Sequence, residues 1–320
     1  KVTNIQRKNG QWLGSIKSKE KAFEVKTKVL INTMGPWVNS LSQLEKNKKN
    51  QVKVRLIKGS HIVVKKLFNH DSAYIFQGKD GRIIFSIPYE NDYTLIGTTE
   101  VEHKQDDEVK CSDEEKDYLC NFASDYFQRK ITKKDIIWDY SGVRALYEKR
   151  NVKARNASRD YSLELEENEG PVLLTVYGGK ITTYRKLAEK AVSKITSFLK
   201  LQRMEWTSTK HLPGGDFKLQ DKEKLIRAML KKYKFLNRRW AERLFKTFGS
   251  DVEKVLGGAK TKKDLGKDFG FDLTEREVLW YINQEHVKCV EDLIWRRSKL
   301  GLRLSGKQIR ELNSYIKELN

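Results

Sequence analysis

Three short stretches of this 320-residue chain carry residue types that do chemistry. One is Gly178-Gly179-Lys180, set between a β-branched and apolar run, Val172–Tyr177, and a helical pattern from Thr183 to about Leu199. Glycines let another group come close to the backbone. A helix starting there aims amide N–H groups and its positive dipole end at whatever lies in front. Thr182 or Thr183 is a candidate cap, and Lys180 adds a full charge. The arrangement suits a phosphate, a carboxylate or the N1–C2=O edge of a reduced flavin; it equally suits an ordinary capped turn.

The second stretch is Ser141-Gly142-Val143-Arg144, read as lying just after a strand, with Arg159 on the strand that follows. Two guanidiniums can grip a phosphate in bidentate fashion, and either can instead be a surface ion-pair partner. The third is Lys58-Gly59-Ser60-His61, which puts a histidine at the head of an apolar strand. An imidazole there can act as a general base near neutral pH, or serve as a satisfied structural residue. The five histidines and the cysteines Cys111, Cys120 and Cys289 show no metal-ligand spacing.

The elements that must position these residues change character along the chain. Val2–Ile5 and Gln11–Ile16 flank Asn9-Gly10, a strong hairpin signal. Phe23–Asn32 moves from alternation to a continuous apolar end, as expected of a strand whose last turn is buried on both faces. After a polar loop at 44–51 come short runs at Val52–Ile57, His61–Val64, Ala73–Gln77, Arg82–Pro88 and Tyr93–Thr99, with turns between them that imply antiparallel pairing. A helix is predicted over 113–129, with Leu119, Phe122, Ala123 and Tyr126 on one face. Strands resume at Ile136–Asp139, Tyr161–Glu166 and Val172–Tyr177. Beyond Leu212-Pro213-Gly214-Gly215 the periodicity is helical throughout, as in the face shared by Trp240, Leu244 and Phe248.

Lys+Arg exceed Asp+Glu by 64 to 43, a net charge of +21. With 38% hydrophobic and 10% aromatic residues the chain is a folded one, not a basic disordered tail. No apolar run approaches the roughly 18 residues of a membrane-spanning helix. The charge invites a nucleic-acid reading, but it is shared almost equally between residues 1–205 and 206–320, which favours a Lys-rich solvated surface. The basic residues of 227–246, including Arg238, Arg239 and Arg243, are assigned to the solvated side of their helices. An odd cysteine count without a framework reads as reduced thiols of a cytosolic protein.

Taken together, LINTMGPWV (30–38), RLIKGSHIVV (55–64), TLIGTTEVE (94–102), YSGVRALY (140–147), SRDYSLEL (158–165) and VYGGKITTYRKLAEKA (176–191) resemble the FAD-dependent glycerol-3-phosphate dehydrogenases of the aerobic, respiratory type. LPGGDF (212–217) and DLIWRRSKLGL (292–302) resemble that family's C-terminal helical domain. Met34, Glu100 and Ala145 stand where the family usually has Thr, Asp and Pro.

The resemblance implies an α+β fold: the remainder of a Rossmann-like FAD domain with an antiparallel substrate-binding sheet, then an all-helical domain. Residues 1–40 would be the end of the FAD domain, 41–165 the substrate domain, 166–204 the FAD domain's return and 205–320 the helical cap. It implies FAD as cofactor and oxidation of sn-glycerol 3-phosphate to dihydroxyacetone phosphate, with electrons passed to quinone. His61 would be the base, and Arg144 would hold substrate and polarise its C2 oxygen. Arg159 and Lys180 would serve the phosphate or the reduced flavin. Gly35, Trp37, Gly179, Lys180, Thr182 and Thr183 would line the cofactor. It further implies a cytoplasmic protein lying peripherally on the inner membrane's anionic surface, with a homodimer possible and no nucleic acid bound. The family's Gly-x-Gly-x-x-Gly, whose backbone meets the FAD pyrophosphate, is not in this sequence. The expectation is therefore a chain lacking that N-terminal segment and binding little FAD alone. The alternatives are a noncatalytic fragment and, on charge only, a basic nucleic-acid-binding protein.

Overall fold

The computed structural model describes residues 1–18, 21–45, 54–147, 160–167, 170–202 and 205–319. The chain separates into two compact units, Lys1–Ser208 and Thr209–Asn320. Among the described residues the first is mixed α+β with three sheets, and the second is helical.

An antiparallel meander opens the first unit: β1 (Val2–Lys8), β2 (Gln11–Lys17) and β3 (Ala22–Thr27). The β1–β2 turn is Asn9-Gly10, both at positive φ (50° and 71°), as a two-residue hairpin of matching twist requires. Phe23–Asn32 is not one strand. It bends after Thr27, whose hydroxyl donates to the Val29 carbonyl (2.9 Å), and continues as β4 (Val29–Asn32) in another sheet. The physical reason lies in the pattern: Phe23–Lys26 are all exposed in the meander, whereas Val29 and Asn32 are buried. Burial of β4 is also one-sided, with Ile31 42% exposed.

A small sheet has the order β11 (Ser162–Glu166), β12 (Val172–Tyr177), β4. β12 runs parallel to β4 and is buried along its whole length, as expected of a strand covered on both faces. Helix α3 (Tyr184–Leu199) packs Ala191 and Ile195 against Val29, Val172 and Leu174. The Trp12 indole of the meander donates to the Val172 carbonyl (2.8 Å), tying the two sheets together. Because β11 pairs with β12, residues 162–165 belong to this sheet and not to the large one.

The large sheet holds most of the candidate site. Its order is β10 (Ile136–Tyr147), β5 (Val54–Lys65), β8 (Tyr93–Gly97), β7 (Ile83–Tyr89), β6 (Tyr74–Gln77), with β9 (Val101–Glu102) also on β5. The two runs expected around Gly59-Ser60 are one 12-residue strand. Gly59 and Ser60 pair with Gly142 and Ser141, so the ladder crosses the glycine without a break. His61 therefore sits mid-strand, not at a strand's head. Likewise Arg144 lies within β10, not after a strand. Helix α2 (Asp113–Tyr126) covers one face, packing Leu119, Cys120 and Ala123 on Ile62, Val64, Ile84 and Ile96. It ends earlier than the predicted 129, and its outer residue Tyr126 is 46% exposed.

The helical unit contains α4 (Lys222–Lys232), α5 (Arg238–Phe248), the short α6 (Val252–Leu256), α7 (Glu275–Glu285) and α8 (Gly306–Leu319), with a wide π-helical turn at Asp292–Arg297. Trp240, Leu244, Phe248, Tyr281, Leu293, Leu312 and Ile316 meet in its core. Arg243 does not lie on the solvated face. It makes a bidentate pair with Glu277 (2.6 and 2.8 Å) and donates to the Asp272 carbonyl (2.9 Å). Position 243 adjoins the core position Leu244 on α5, and Glu277, 1% exposed, provides the counter-charge that keeps it there. Among the described residues no helix is long and apolar enough to cross a membrane.

Removing one partner of such a pair leaves the other charge buried and uncompensated. Glu277→Ala should destabilise the helical unit by about 3 kcal/mol, read from the denaturant midpoint by fluorescence of the tryptophans in α5 and α7. Arg243→Met/Glu277→Leu should recover most of that loss. A single variant as stable as wild type would contradict the assignment.

Candidate active site

Side chains alternate across a strand, so the β5–β10 register decides what shares a face. Opposite the α2 side, β5 presents Ile57, Gly59, His61 and Val63. Their partners on β10 are Arg144, Gly142, Tyr140 and Trp138. On the other flank Gly97 of β8 pairs with His61. One sheet face thus gathers His61 and Arg144, with Gly59, Gly97 and Gly142 making its floor low between them.

The floor is low by necessity at Gly97. A Cβ there would fall inside van der Waals contact of the His61 ring. A Cβ on Gly59 would press on the Thr98 hydroxyl and reach 3.4 Å from the Arg144 guanidinium. The His61 ring stacks on Tyr140, with centroids 5.0 Å apart and planes within 4°, and Tyr140 stacks in turn on Trp138. Burial and the positive charge of Arg144 both disfavour the imidazolium, pushing the His61 pKa down to about 4. At neutral pH the ring is an unprotonated base. Its Nδ1 is buried without a hydrogen-bond partner among the described residues. Arg144 is held from one side by Glu100 (3.1 Å), and with its side chain 39% exposed it remains open to a further anion.

The small sheet brings its own elements to the same unit. Asn32 and Thr175 are neighbours on parallel strands, so β4 and β12 release their chains at the same end. Ligands of open α/β sheets collect at such carboxyl ends. β4 leads into a tight turn, Gly35–Trp37, braced by Asn32, which accepts from the Met34 amide (3.2 Å) and donates to the Val38 carbonyl (3.0 Å). Trp37 stands 54% exposed there. β12 leads into Gly178 and Gly179, at φ of 65° and 106°, a conformation that favours glycine. β10 closes on this junction. Tyr147 stacks on Tyr177 (5.0 Å), and a Cβ on Gly178 would meet the Asp160 carbonyl at 3.0 Å.

Lys180 follows, half exposed and 3.7 Å from Asp160. Thr182 and Thr183 lie in a single 3-10 turn, Ile181–Thr183, ahead of α3. The expected cap is not made by Thr183: its hydroxyl donates to the Lys180 carbonyl (3.0 Å) and accepts nothing from the helix amides. Among the described residues no side chain caps the N-terminus of α3. Arg159 lies outside the described residues, as does most of the loop at 44–51. Reading the sequence missed three contributors: Gly97, Tyr140 as the stacking partner of His61, and Glu100 as the anchor of Arg144. Cross-strand register reveals the first two, and a side-chain ion pair from the turn after β8 reveals the third.

The shifted imidazole has a measurable consequence. The unfolded chain takes up this proton near 6.5 and the folded chain only near 4, so the unfolded state binds more protons between those values. The contribution of the neutral ring to stability is complete above about pH 6.5 and is lost as pH falls toward 4. Denaturation from pH 7.5 to 4 should therefore show wild type losing more stability than His61→Asn; parallel curves would contradict the shift. Gly97→Ala should displace the ring and bring its titration back toward the ordinary value, as followed by imidazole NMR.

Residues 1–185 match the FAD dependent oxidoreductase family, and residues 206–316 match the C-terminal domain of alpha-glycerophosphate oxidase. An aerobic glycerol-3-phosphate dehydrogenase of Escherichia coli (strain K12) is 36% identical over 322 residues, spanning 99% of this chain and 64% of that protein. A glycerol-3-phosphate dehydrogenase of Pseudomonas aeruginosa is 38% identical over 319 residues, spanning 99% of this chain and 62% of that one. The solved structure of the Bacillus halodurans glycerol-3-phosphate dehydrogenase complexed with FAD superposes with a TM-score of 0.81 at 26% identity, over 100% of this chain and 64% of that one. The chain thus spans just under two thirds of the length of these relatives. With a family match covering more than half its residues, the chain belongs to the FAD dependent oxidoreductases.

Proposed function

We propose that the protein carrying this chain oxidises sn-glycerol 3-phosphate to dihydroxyacetone phosphate with FAD as cofactor. The observation that carries this reading is the pairing, on one sheet face, of an unprotonated histidine with a part-exposed arginine, His61 and Arg144. An alcohol oxidation needs a base for the hydroxyl proton and a cation for an anionic substrate, and this face supplies both. The names of the relatives given above point to the same chemistry.

The residues present fit a flat, partly anionic cofactor ring. Glycines keep the sheet face low, the Gly178–Gly179 turn exposes backbone at the head of α3, and Lys180 supplies a cation beside it. Gly35, Trp37, Gly179, Lys180, Thr182 and Thr183 would hold this group. Bound FAD supplies the acceptor for the hydride that leaves substrate carbon C2. The chain's own residues do the rest. His61 takes the C2 hydroxyl proton, and its low basicity, set by burial and by Arg144, rises once a substrate anion offsets the guanidinium charge. Arg144 holds the substrate and polarises the C2 oxygen, while Glu100 keeps the guanidinium from turning away. Lys180 serves the phosphate or the reduced cofactor, and Arg159 is assigned to the same work.

Passage of the electrons to membrane quinone, and peripheral attachment to an anionic membrane surface, complete the proposal. Exposed basic residues of the helical unit such as Lys231 and Arg239 support the attachment, since each basic group near such a surface contributes on the order of 1 kcal/mol.

In the complete enzyme, Arg144→Ala should lower kcat/KM for glycerol 3-phosphate at least a hundredfold, the scale for losing one preorganised electrostatic group. Steady-state dye reduction measures it. Near wild-type turnover would overturn the role of Arg144.

A further inference from the structure

Behind the site, on the opposite face of the large sheet, lies a buried carboxylate to which the chemistry above assigns no task. Glu115 is 6% exposed and occupies the first turn of α2. All of its acceptor capacity is used. One oxygen takes the hydroxyls of Ser60 (2.8 Å) and Thr99 (2.6 Å). The other takes the Lys58 ammonium (2.8 Å) and the Ser112 backbone amide (2.9 Å). The network continues outward. Ser60 spends its single proton on Glu115, so the 2.7 Å contact between Ser60 and Ser141 has Ser141 as donor. Thr99 in turn accepts from the Ser60 amide (2.9 Å), and Lys58 also donates to the Lys110 carbonyl (2.7 Å).

Three of these residues are sequence neighbours of site residues. Ser60 lies between Gly59 and His61, Ser141 between Tyr140 and Gly142, and Thr99 between Thr98 and Glu100. A strand residue and its neighbour point to opposite faces, so holding Ser60 on β5 and Ser141 on β10 fixes the direction of His61 and Tyr140, while Thr99 ties down the turn that carries Glu100. We propose that Glu115 is a positioning residue: its carboxylate, bonded from behind the sheet to Ser60, Thr99 and Lys58, and to Ser141 through Ser60, locks β5, β10 and the turn after β8 in the one arrangement that brings His61, Tyr140 and the Glu100–Arg144 pair together. The inference rests on the functional reading above.

The carboxylate is ionised throughout the working range. Burial alone would raise its pKa, but the bonds from Lys58, Ser112, Thr99 and Ser60 outweigh that and bring it to about 2. An ionised, four-coordinated carboxylate in a dry layer resists displacement because every bond is charge-assisted. That rigidity is what a base held within a fraction of an ångström of its proton requires.

The test uses the complete enzyme with FAD bound. Lys58→Met/Glu115→Leu removes the ion pair and the anchor together without leaving a buried charge. Lys58→Met/Glu115→Gln also removes the ion pair but keeps an acceptor oxygen for Ser60 and Thr99. The first should lower kcat at least tenfold and move the His61 imidazole titration, followed by NMR on the same samples, upward by a unit or more as the ring gains solvent. The second should stay within about threefold of wild type, with His61 nearly unmoved. Ser60→Ala, a milder change, should lower kcat severalfold and carries the test if the leucine variant does not fold. Equal activity in both double variants, or wild-type kcat with an unmoved His61 in the leucine variant or in Ser60→Ala, would overturn the proposal, since a merely stabilising ion pair predicts those results. If wild type itself does not oxidise glycerol 3-phosphate, the functional reading fails; the His61 titration still decides whether Glu115 positions the ring.

Discussion

The first unit is organised around the long antiparallel pairing of β5 with β10. It is set by side chains on both faces at once. On one face Ile62 and Val64 are buried under α2, and a one-residue slip would turn them to the other side. On the other face the same register puts His61 beside Tyr140 and sets Arg144 four residues further along β10. Hydrophobic burial and site geometry are thus not independent choices. The register that excludes water from the α2 layer is also the one that faces a base and a guanidinium across a floor of glycines.

Charge is used in two distinct ways in this molecule. Among the described residues many lysines and arginines are exposed, some of them in surface pairs such as Lys133–Asp117 and Lys267–Glu311. Exposed pairs of that kind contribute little to stability. Two buried pairs behave differently. Lys58–Glu115 and Arg243–Glu277 each lie in an apolar layer; Glu115 also accepts the Ser60 and Thr99 hydroxyls, and Arg243 also donates to the Asp272 carbonyl. A buried pair is costly to break and adds little against a hydrophobic substitute, so its usual merit is geometric. In the first unit that geometry bears on the candidate site.

Local pattern made much of this legible. The Asn9-Gly10 hairpin, the fully buried β12, the Gly178-Gly179 turn and the apolar stripe of α5 all follow from residue type and period. The resemblance to a flavoenzyme family rested on strings spread along the chain, and the family match extends over both the sheet-bearing and helical parts. Other readings failed where local rules meet tertiary demand. Gly59 looked like a break between two strands, yet β10 continues past it, with Gly142 opposite Gly59 in an unbroken register. Phe23–Asn32 looked like one strand, yet two sheets compete for it and each takes the half whose burial pattern suits it. Arg243 looked solvated because its charged neighbours are, while its counter-charge lies 34 residues away on another helix.

The sequence by itself determined the element types, the helical character beyond Leu212-Pro213-Gly214-Gly215, the family, and which residues have the chemistry of a base, an anion holder and a backbone cradle. Those properties are local: they depend on side-chain type, spacing and turn chemistry within a dozen residues. Only the tertiary structure decided that His61 stacks on Tyr140, that Glu100 anchors Arg144, that Gly97 leaves room for the imidazole, and that Glu115 bonds from behind to β5 and to the turn after β8. Each of those contacts joins residues far apart in sequence through cross-strand register and the packing of α2 on the sheet. Register is a collective property of whole strands, so no single stretch of sequence contains it.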